Sequence, residues 1–393
     1  MSTTPQRHPL PADLFTLADH ERHARARLDA PVWAYFSGGA ADEITLRANR
    51  SAWDALTLVP RVLRPLAGGH TRCELLGRTL AHPIMLAPVA FQRLAHPDGE
   101  LATAYAAAAL GAGLVLSTQA SQPLEAVAQA MLGDAGRGPL WFQLYLQPDR
   151  GHTRELVQRA EAAGYEALVL TVDAPCSGVR EREWRAGFRL PPGIRAVNLP
   201  AAAAPSASGG TDPSNGAPAG SSALFDGLLR HAPTWDDVQW LQSSTRLPVL
   251  LKGVLHPEDA RTALAHGVAA VIVSNHGGRT LDTTPSTASV LPRIADATGG
   301  ALPLLVDGGI RRGTDVLKAI ALGARAVLVG RPIVWGLAHS GAAGVAHVLR
   351  LLRDEFEAAM ALTGCATLAQ AGREILADAE NFCSSTANET YSH

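Results

Sequence analysis

Runs of apolar residues recur along the chain at spacings typical of alternating strands and helices. Eight of these runs are rich in Val, Leu and Ile and do not alternate with polar residues, which is typical of strands buried on both faces. They are IMLAPVA (84–90), LVLST (114–118), LWFQLY (140–145), ALVLTVD (167–173), PVLLKG (248–253), AAVIVSN (269–275), LPLLVDG (302–308) and AVLVG (326–330). The pattern predicts eight strands of a parallel sheet.

Amphipathic, alanine-rich segments lie between most of these runs. Segment 98–113 begins with Asp98, a predicted N-cap, and ends in glycines. Segments 149–165, 256–267 and 311–324 follow the same plan. Eight strands that alternate with helices predict an α/β protein with a parallel (β/α)8 barrel, and a doubly wound open sheet is the alternative. No G-x-G-x-x-G follows the first strand, which weighs against the open sheet.

The pattern also divides the chain. Residues 1–80 are predicted to form helices that cap the barrel, 81–372 the barrel and 373–393 a tail. Segment 196–223, between the fourth and fifth strands, is dominated by Ala, Pro, Ser and Gly, so we expect a mobile loop at the mouth of the barrel. Two interpretations of this loop remain open, a lid over the site and an insertion without a role.

Composition narrows the class of protein. The 393 residues are 47% hydrophobic and 18% charged, which is ordinary for a globular protein. A net charge of −2 gives no support for a nucleic-acid partner. The four cysteines are widely spaced and form no CxxC, which favours a reducing, cytoplasmic compartment over a disulfide framework or a zinc site. Without an apolar run of about 18 residues or a signal sequence, we expect neither a membrane span nor secretion.

Polar residues follow the predicted strands at their carboxyl ends, where the chemistry of such barrels lies. In strand order they are Ser117, Gln143, Tyr145, Thr171, Asp173, Lys252, Ser274, His276, Arg279, Asp307, Arg311 and Arg331. Burying such groups is costly unless they find hydrogen-bond partners, so the pattern predicts a polar cofactor at this end of the barrel.

The last two strands end in glycine-rich turns that carry arginines, DGGIRRG (307–313) and VGRP (329–332). The glycines let backbone N–H groups approach a phosphate, and Arg331 offers a fork of donors. Because barrels of this kind hold phosphate at these two strands, we favour a phosphate site over two tight turns with a surface arginine.

The segment SNHGGR (274–279) carries the candidate chemistry. His276 can take a proton near neutral pH, Arg279 can hold a carboxylate in bidentate fashion, and Asp173 can orient the imidazole. Lys252 has two interpretations from sequence, a Schiff-base nucleophile or a cation beside electron-rich cofactor atoms. No cluster with metal-ligand spacing is present in the sequence, so we expect no metal.

From about residue 12 to 372 the chain resembles the FMN-dependent L-2-hydroxy acid oxidases and dehydrogenases, such as glycolate oxidase, lactate oxidase and mandelate dehydrogenase. The segments that carry the resemblance are SNHGGRTLD, LLKGV, FQLY, LTVDAP, VDGGIRRGTDVLKAIALGA and LVGRP. APVAFQRLAHPDGELA and AVLVGRP look similar to the bacterial hydroxymandelate oxidases.

The resemblance implies that FMN is the cofactor and that most strand ends contact it. The ring-binding residues would be Pro88, Val89, Ala90, Ser117, Gln143, Thr171 and Lys252. The residues for the ribityl chain and the phosphate would be Ser274, Asp307, Gly308, Gly309, Arg311, Gly330 and Arg331. Lys252 would then stabilise negative charge on the reduced ring, which replaces the Schiff-base interpretation.

The resemblance also implies roles toward a 2-hydroxy acid. Arg279 and Tyr35 would hold the carboxylate, Tyr145 would contact the hydroxyl, and Arg180 would add a second positive charge. His276, assisted by Asp173, would act as the base, and the flavin N5 would accept the electrons. Transfer as a hydride and transfer after carbanion formation both remain open, as do oxygen and another acceptor for reoxidation.

Two positions depart from plant glycolate oxidase. Gln119 stands where that enzyme has a tryptophan and Ser177 where it has a leucine, so specificity for glycolate is not implied, and a more open or more polar pocket that admits larger acids remains open. Relatives are commonly tetramers, which implies a homotetramer. An FMN-dependent isomerase of the isopentenyl diphosphate type, on a related barrel, is the alternative function, and a non-catalytic flavin- or phosphate-binding barrel is a third.

Overall fold

Eight parallel strands close into a barrel in the computed structural model of the protein, which describes residues 10–200 and 232–377 together with 222, 224, 225 and 229. The barrel strands are β3 (Ile84–Leu86), β4 (Gly113–Leu116), β5 (Leu140–Leu144), β6 (Ala167–Thr171), β7 (Val249–Val254), β8 (Ala270–Val273), β9 (Leu304–Val306) and β10 (Ala326–Val329). They pair in chain order, and β10 closes the ring on β3. Each predicted run overlaps one strand, although β4 begins and β7 ends one residue outside its run, so the (β/α)8 barrel is confirmed and the open sheet is wrong.

The continuous apolar runs arise because both faces of each strand are buried. One cluster of buried side chains, including Trp141, Val169 and Ile272, receives a member from every barrel strand and therefore fills the interior. Neighbouring positions such as Phe142 and Leu170 belong to a second cluster, between the strands and the helices. A small hairpin of β1 (Cys73–Leu75) and β2 (Arg78–Leu80) adds apolar side chains to the interior cluster.

Twelve helices are formed by the described residues. Three precede the barrel: α1 (Leu17–Arg27), α2 (Ala30–Ser37) and α3 (Ile44–Ala55). The others are α4 (Glu100–Ala109), α5 (Leu124–Leu132), α6 (Arg150–Ala162), α7 (Glu181–Arg185), α8 (Trp235–Ser243), α9 (Pro257–Ala265), α10 (Thr287–Thr298), α11 (Gly313–Ala321) and α12 (Arg331–Leu362), which kinks at Ser340 and Gly341. Among these residues, no helix combines the length and the apolar character needed to cross a bilayer.

The predicted cap of α4 is wrong by one residue. Gly99, rather than Asp98, is the N-cap, and its φ of 50° and ψ of −126° suit glycine. A Cβ at Gly99 would lie 2.8 Å from Cγ of Arg93. The preceding 3-10 turn (Gln92–Leu94) thus packs so closely against the start of α4 that glycine suits the cap position.

The domain boundaries at 80 and 372 stay predictions. Most of the predicted mobile loop, residues 201–221, lies outside the described residues, as do residues 378–393 of the tail. The first part of that loop, 196–200, is described, and there Ala196, Asn198 and Leu199 are buried.

Candidate active site

One cavity opens at the carboxyl ends of the barrel strands, and most of the predicted site residues line it. These residues are Tyr35, Pro88, Val89, Ala90, Ser117, Gln143, Tyr145, Thr171, Arg180, Lys252, His276, Arg279, Asp307, Gly308, Gly309, Arg311, Gly330 and Arg331. Asp173 and Ser274 stand behind them, in contact with His276 and Lys252. Gln119 lines the cavity as well, whereas Ser177 is exposed and is not part of the lining.

His276 projects from a turn after β8 that few residues can adopt. His276 has a φ of 57°, and Gly277 and Gly278 follow at 65° and 72°, in the left-handed region that favours glycine. The imidazole Nδ1 lies 2.8 Å from Oδ1 of Asp173, and Nε2 lies 3.5 Å from the hydroxyl of Tyr145. When Nδ1 donates its proton to Asp173, the lone pair of Nε2 is left facing the cavity.

Asp173 stays ionised beside this histidine. Burial raises the pKa of its carboxyl, but the imidazole of His276 and the ammonium of Lys252 outweigh burial and hold the pKa below its usual value. Gly253 makes room for Asp173, since a Cβ there would lie 2.4 Å from the Cβ of Asp173. The carboxylate is thus placed to stabilise an imidazolium at His276.

Lys252 is a buried cation with a carboxylate partner. Its Nζ donates to Oγ of Ser274 over 2.9 Å and lies 3.2 Å from Oδ2 of Asp307. Burial lowers the pKa of Lys252, but Asp307 and Asp173 raise it above its usual value. A lysine that remains protonated is a poor nucleophile, so the site does not favour Schiff-base chemistry.

Two further cations face the cavity beside the predicted phosphate turns. The guanidinium of Arg331 donates to the carbonyls of Phe36 and Gly38 over 3.2 and 2.8 Å. The guanidinium of Arg311 stacks over the ring of Trp335 at 4.7 Å. Burial lowers the pKa of Arg311 to about 10 and that of Arg331 to about 9. Because neither arginine has a carboxylate at contact distance among the described residues, both remain available to an anion.

Helix α3 holds the turns of the site, and sequence reasoning missed it. Asn49 exchanges two side-chain hydrogen bonds of 2.8 Å with Asn275, next to His276. Trp53 donates from Nε1 to the carbonyl of Gly308 over 2.8 Å. The α3 side chains are far from the strand ends in sequence, so only the packing of residues 44–55 on the barrel reveals their role.

A second missed residue is Glu183 on α7. It is 5% exposed and accepts a hydrogen bond from Nη2 of Arg279 over 2.9 Å. Glu183 lies between several other charges in REREWR (180–185), which gives no signal of burial.

The residues present fit FMN. Oδ1 of Asp307 is buried and has no hydrogen-bond partner among the described residues, which suits the hydroxyls of a ribityl chain. Arg311 and Arg331 suit its phosphate. Pro88, Val89 and Ala90 form an apolar wall for its ring.

Comparisons with known proteins agree with this site. A family profile described as FMN-dependent dehydrogenase matches residues 24–378. The chain is 50% identical to the L-lactate oxidase of Alicycliphilus denitrificans, over 93% of this chain and 97% of that protein. It is 43% identical to 2-Hydroxyacid oxidase 1 of Homo sapiens, over 90% and 93% of the two chains. A solved mandelate oxidase superposes with a TM-score of 0.81 at 42% identity, covering 92% of this chain and 98% of that one.

The chain therefore belongs to the FMN-dependent dehydrogenase family, within which its relatives are 2-hydroxy acid oxidases. It is an FMN-dependent oxidoreductase, and the predicted family, enzyme class and cofactor are confirmed. The comparisons do not favour the isomerase alternative.

Proposed function

We propose that this enzyme oxidises a short L-2-hydroxy acid, L-lactate in the first place, to the 2-oxo acid, with oxygen as the terminal acceptor. Three relatives named L-lactate oxidase, at 48 to 50% identity, support this substrate. The observation that carries the proposal is that Nε2 of His276 and the guanidinium of Arg279 open into one cavity with the cofactor-binding residues.

His276 is proposed to take a proton from the substrate at Nε2. Nδ1 is engaged by Asp173, so the imidazole has a fixed orientation and its second nitrogen is free to accept. The carboxylate of Asp173 stabilises the imidazolium that results. Tyr145, 3.5 Å from Nε2, is proposed to hydrogen-bond the substrate hydroxyl.

Arg279, Arg180 and Tyr35 are proposed to bind the substrate carboxylate. The guanidinium of Arg279 lies 5.2 Å from the centre of the Tyr35 ring, and all three residues line the cavity. Burial raises the pKa of the Tyr35 phenol, so it stays protonated and able to donate a hydrogen bond. Such a site would bind the acid group of the substrate. The rest of the substrate would then lie toward Gln119, which lines the same cavity.

FMN, when bound, would supply a two-electron acceptor for the oxidation. The residues proposed to hold it are Pro88, Val89, Ala90, Ser117, Gln143, Thr171, Lys252, Ser274, Asp307, Gly308, Gly309, Arg311, Gly330 and Arg331. Lys252, kept protonated by Asp307, is proposed to stabilise negative charge at the ring edge. Gln143 donates to Oγ1 of Thr171 over 3.0 Å, which fixes both side chains beside the ring site.

The test is anaerobic titration of the purified yellow protein with L-lactate, glycolate and (S)-mandelate, followed by exposure to air. We expect L-lactate to bleach the flavin band at the lowest concentration and the colour to return rapidly in air. Slow return in air would contradict oxygen as acceptor, and bleaching by mandelate alone would contradict the preference for a short acid. A yellow protein that none of the three acids bleaches would overturn the proposed function.

We also propose that the protein is a homotetramer in the cytoplasm. Apolar side chains in one surface segment support association, since Val62 is 78% and Leu63 100% exposed. Leu362, 73% exposed, follows at the end of α12, where Gly364 packs against Arg61 and Arg64. The free thiols of Cys73, Cys176 and Cys365 agree with a reducing compartment. Light scattering that gives the mass of a monomer would contradict the tetramer. Cell fractionation that finds the enzyme outside the cytoplasm would contradict the proposed location.

A further inference from the structure

A buried carboxylate, Glu183, lies between Arg180 and Arg279, two of the arginines that line the cavity. Its Oε1 accepts a hydrogen bond of 2.9 Å from Nη2 of Arg279, and its Oε2 lies 3.7 Å from Nη1 of Arg180. The side chain of Glu183 is 6% exposed, whereas those of Arg279 and Arg180 are 16% and 23% exposed. One acid therefore bridges two guanidinium groups that both face the substrate site.

Arg279 is held mainly by other groups. Its Nη1 donates to the carbonyls of Tyr35 and Gly38 over 2.6 and 2.9 Å. Of the five N–H donors of a guanidinium, these bonds and the one to Glu183 use three. Nε and one proton of Nη2 are left for a ligand, and the two carbonyls keep Arg279 in place without help from Glu183.

Arg180 depends on Glu183 to a greater degree. Among the described residues, Glu183 is the carboxylate that pairs with Arg180, and Nε of Arg180 is buried without a hydrogen-bond partner. Burial lowers the pKa of Arg279, and the positive charge of the nearby Arg180 lowers it further. A shared counter-charge offsets the repulsion between two guanidiniums in one cavity.

The helix that carries Glu183 is anchored separately. Arg182 pairs with Glu43 and donates to Oγ of Ser37 over 3.3 Å. Gly178 packs against the backbone of the β8 turn, since a Cβ there would lie 2.3 Å from the carbonyl oxygen of Thr280. Replacing Glu183 by its isosteric amide therefore removes a charge while these anchors of α7 remain.

We propose that Glu183 is a positioning residue, which holds Arg180 inside the cavity beside Arg279 so that both guanidiniums meet one substrate carboxylate. This role rests on the proposed function, because it assigns Arg180 and Arg279 to the acid group of the substrate. Glu183 itself touches the arginines and not the substrate.

The test measures binding of propionate, which has the carboxylate but no hydroxyl to oxidise, through its effect on the visible spectrum of the FMN-loaded enzyme. We expect Glu183→Gln to raise the Kd of propionate by about tenfold. The neutral counterpart propionamide should bind the variant and the wild type alike. The matched control is Glu181→Gln on the same helix, since Glu181 pairs with the exposed Arg185 and should change neither Kd.

A double-mutant cycle identifies the residue through which Glu183 acts. In an Arg180→Ala background, Glu183→Gln should change the Kd of propionate by less than about twofold, because the group that it positions is gone. An equal loss in both backgrounds would overturn the proposal. Tighter propionate binding by Glu183→Gln would also overturn it, since Glu183 would then compete with the substrate for Arg279.

Two readouts separate this inference from the proposed function and from misfolding. A wild-type enzyme that binds propionate but oxidises no hydroxy acid overturns the proposed function and leaves the Kd comparison valid, whereas one that binds no propionate overturns both. FMN content and thermal unfolding report the fold of Glu183→Gln. If that variant does not fold, Glu183→Asp replaces it, since aspartate keeps the charge on a shorter side chain. Glu183→Asp supports the proposal only if its propionate Kd rises and if this rise disappears in the Arg180→Ala background.

Discussion

Two sites in this molecule are each built around a histidine, and the neighbours of that histidine differ between them. His276 lies at the barrel mouth with its Nδ1 2.8 Å from a carboxylate oxygen of Asp173. His20 lies on α1, fully buried, with Nδ1 2.8 Å from Nε2 of His339 and Nε2 2.9 Å from Nδ1 of His347, both on α12. One imidazole has an acid as its partner, and the other has two imidazoles.

The difference decides which protonation state each site stabilises. The acid beside His276 favours the imidazolium, and that pair suits proton transfer. The pKa of His20 is lowered to about 3, first by burial and then by the neighbouring His339 and His347, against an opposing effect of Asp19. Burial likewise lowers the pKa of His339 to about 4. The cluster of His20, His339 and His347 therefore stays neutral and joins two helices by hydrogen bonds.

The largest expected effect comes from removing the base. His276→Gln should lower the rate of flavin reduction by L-lactate about a thousandfold, because general-base catalysis of this kind contributes about 10²–10⁴-fold. FMN content and thermal unfolding should stay near those of the wild type. Stopped-flow reduction under anaerobic conditions measures the effect, and a variant reduced at the normal rate would refute the assignment of His276.

Removing the acid should have a smaller effect of the same kind. Asp173→Asn keeps the shape of the side chain but no longer stabilises the imidazolium, so we expect reduction to slow by about a hundredfold. Because the neighbouring negative charge is lost, the neutral base is favoured and the remaining activity should extend to lower pH. A pH–rate profile identical to that of the wild type would show that Asp173 does not act through His276.

The neutral cluster of His20, His339 and His347 should make the free energy of unfolding fall in acid, and it should have no direct effect on catalysis. The pKa of His20 in the folded protein lies below its ordinary value of 6.5, so the unfolded chain binds more protons below that pH. The stabilisation is fully present above pH 6.5 and is lost as the pH falls toward about 3. The slope for His20 is at most about 1.4 kcal/mol per pH unit.

Thermal unfolding between pH 8 and pH 4.5 measures this slope. His20→Phe should be less stable at pH 8, since His339 and His347 lose a hydrogen-bond partner, and should show a shallower slope in acid. His152→Gln is the control, because the side chain of His152 is 43% exposed and lies outside the cluster, so the substitution should leave the slope unchanged. An unchanged slope in His20→Phe would contradict the assignment of acid sensitivity to the cluster.

The contrast also separates what the sequence could predict from what it could not. Asp173 and His276 each follow a buried strand, and because parallel strands end at one rim of a barrel, their meeting was predictable. His20 and His339 are 319 positions apart on two helices, and no periodic pattern indicates that those helices contact each other. The same holds for Asn49 and Asn275, whose pairing depends on how α3 packs on the barrel.

Glu183 illustrates a different limit. Glu181, Arg182 and Glu183 are adjacent polar residues, and charged runs of this kind are usually solvated. Only Glu183 is buried, because α7 turns that one side chain toward Arg279. The sequence contains the charge, whereas its partner depends on the orientation of a helix of five residues.

The smallest expected effect comes from a third histidine, which extends the comparison to the surface. His23 pairs with Asp13 at 2.9 Å, and the two side chains are 28% and 57% exposed. A pair in water gains little from its charges, since solvent screens them and the side chains lose freedom on pairing. We therefore expect His23→Gln to change the free energy of unfolding by less than about 0.5 kcal/mol at pH 8. A loss of stability as large as that of His20→Phe would mean that His23 belongs to the buried cluster, because its ring centre lies only 5.8 Å from that of His339.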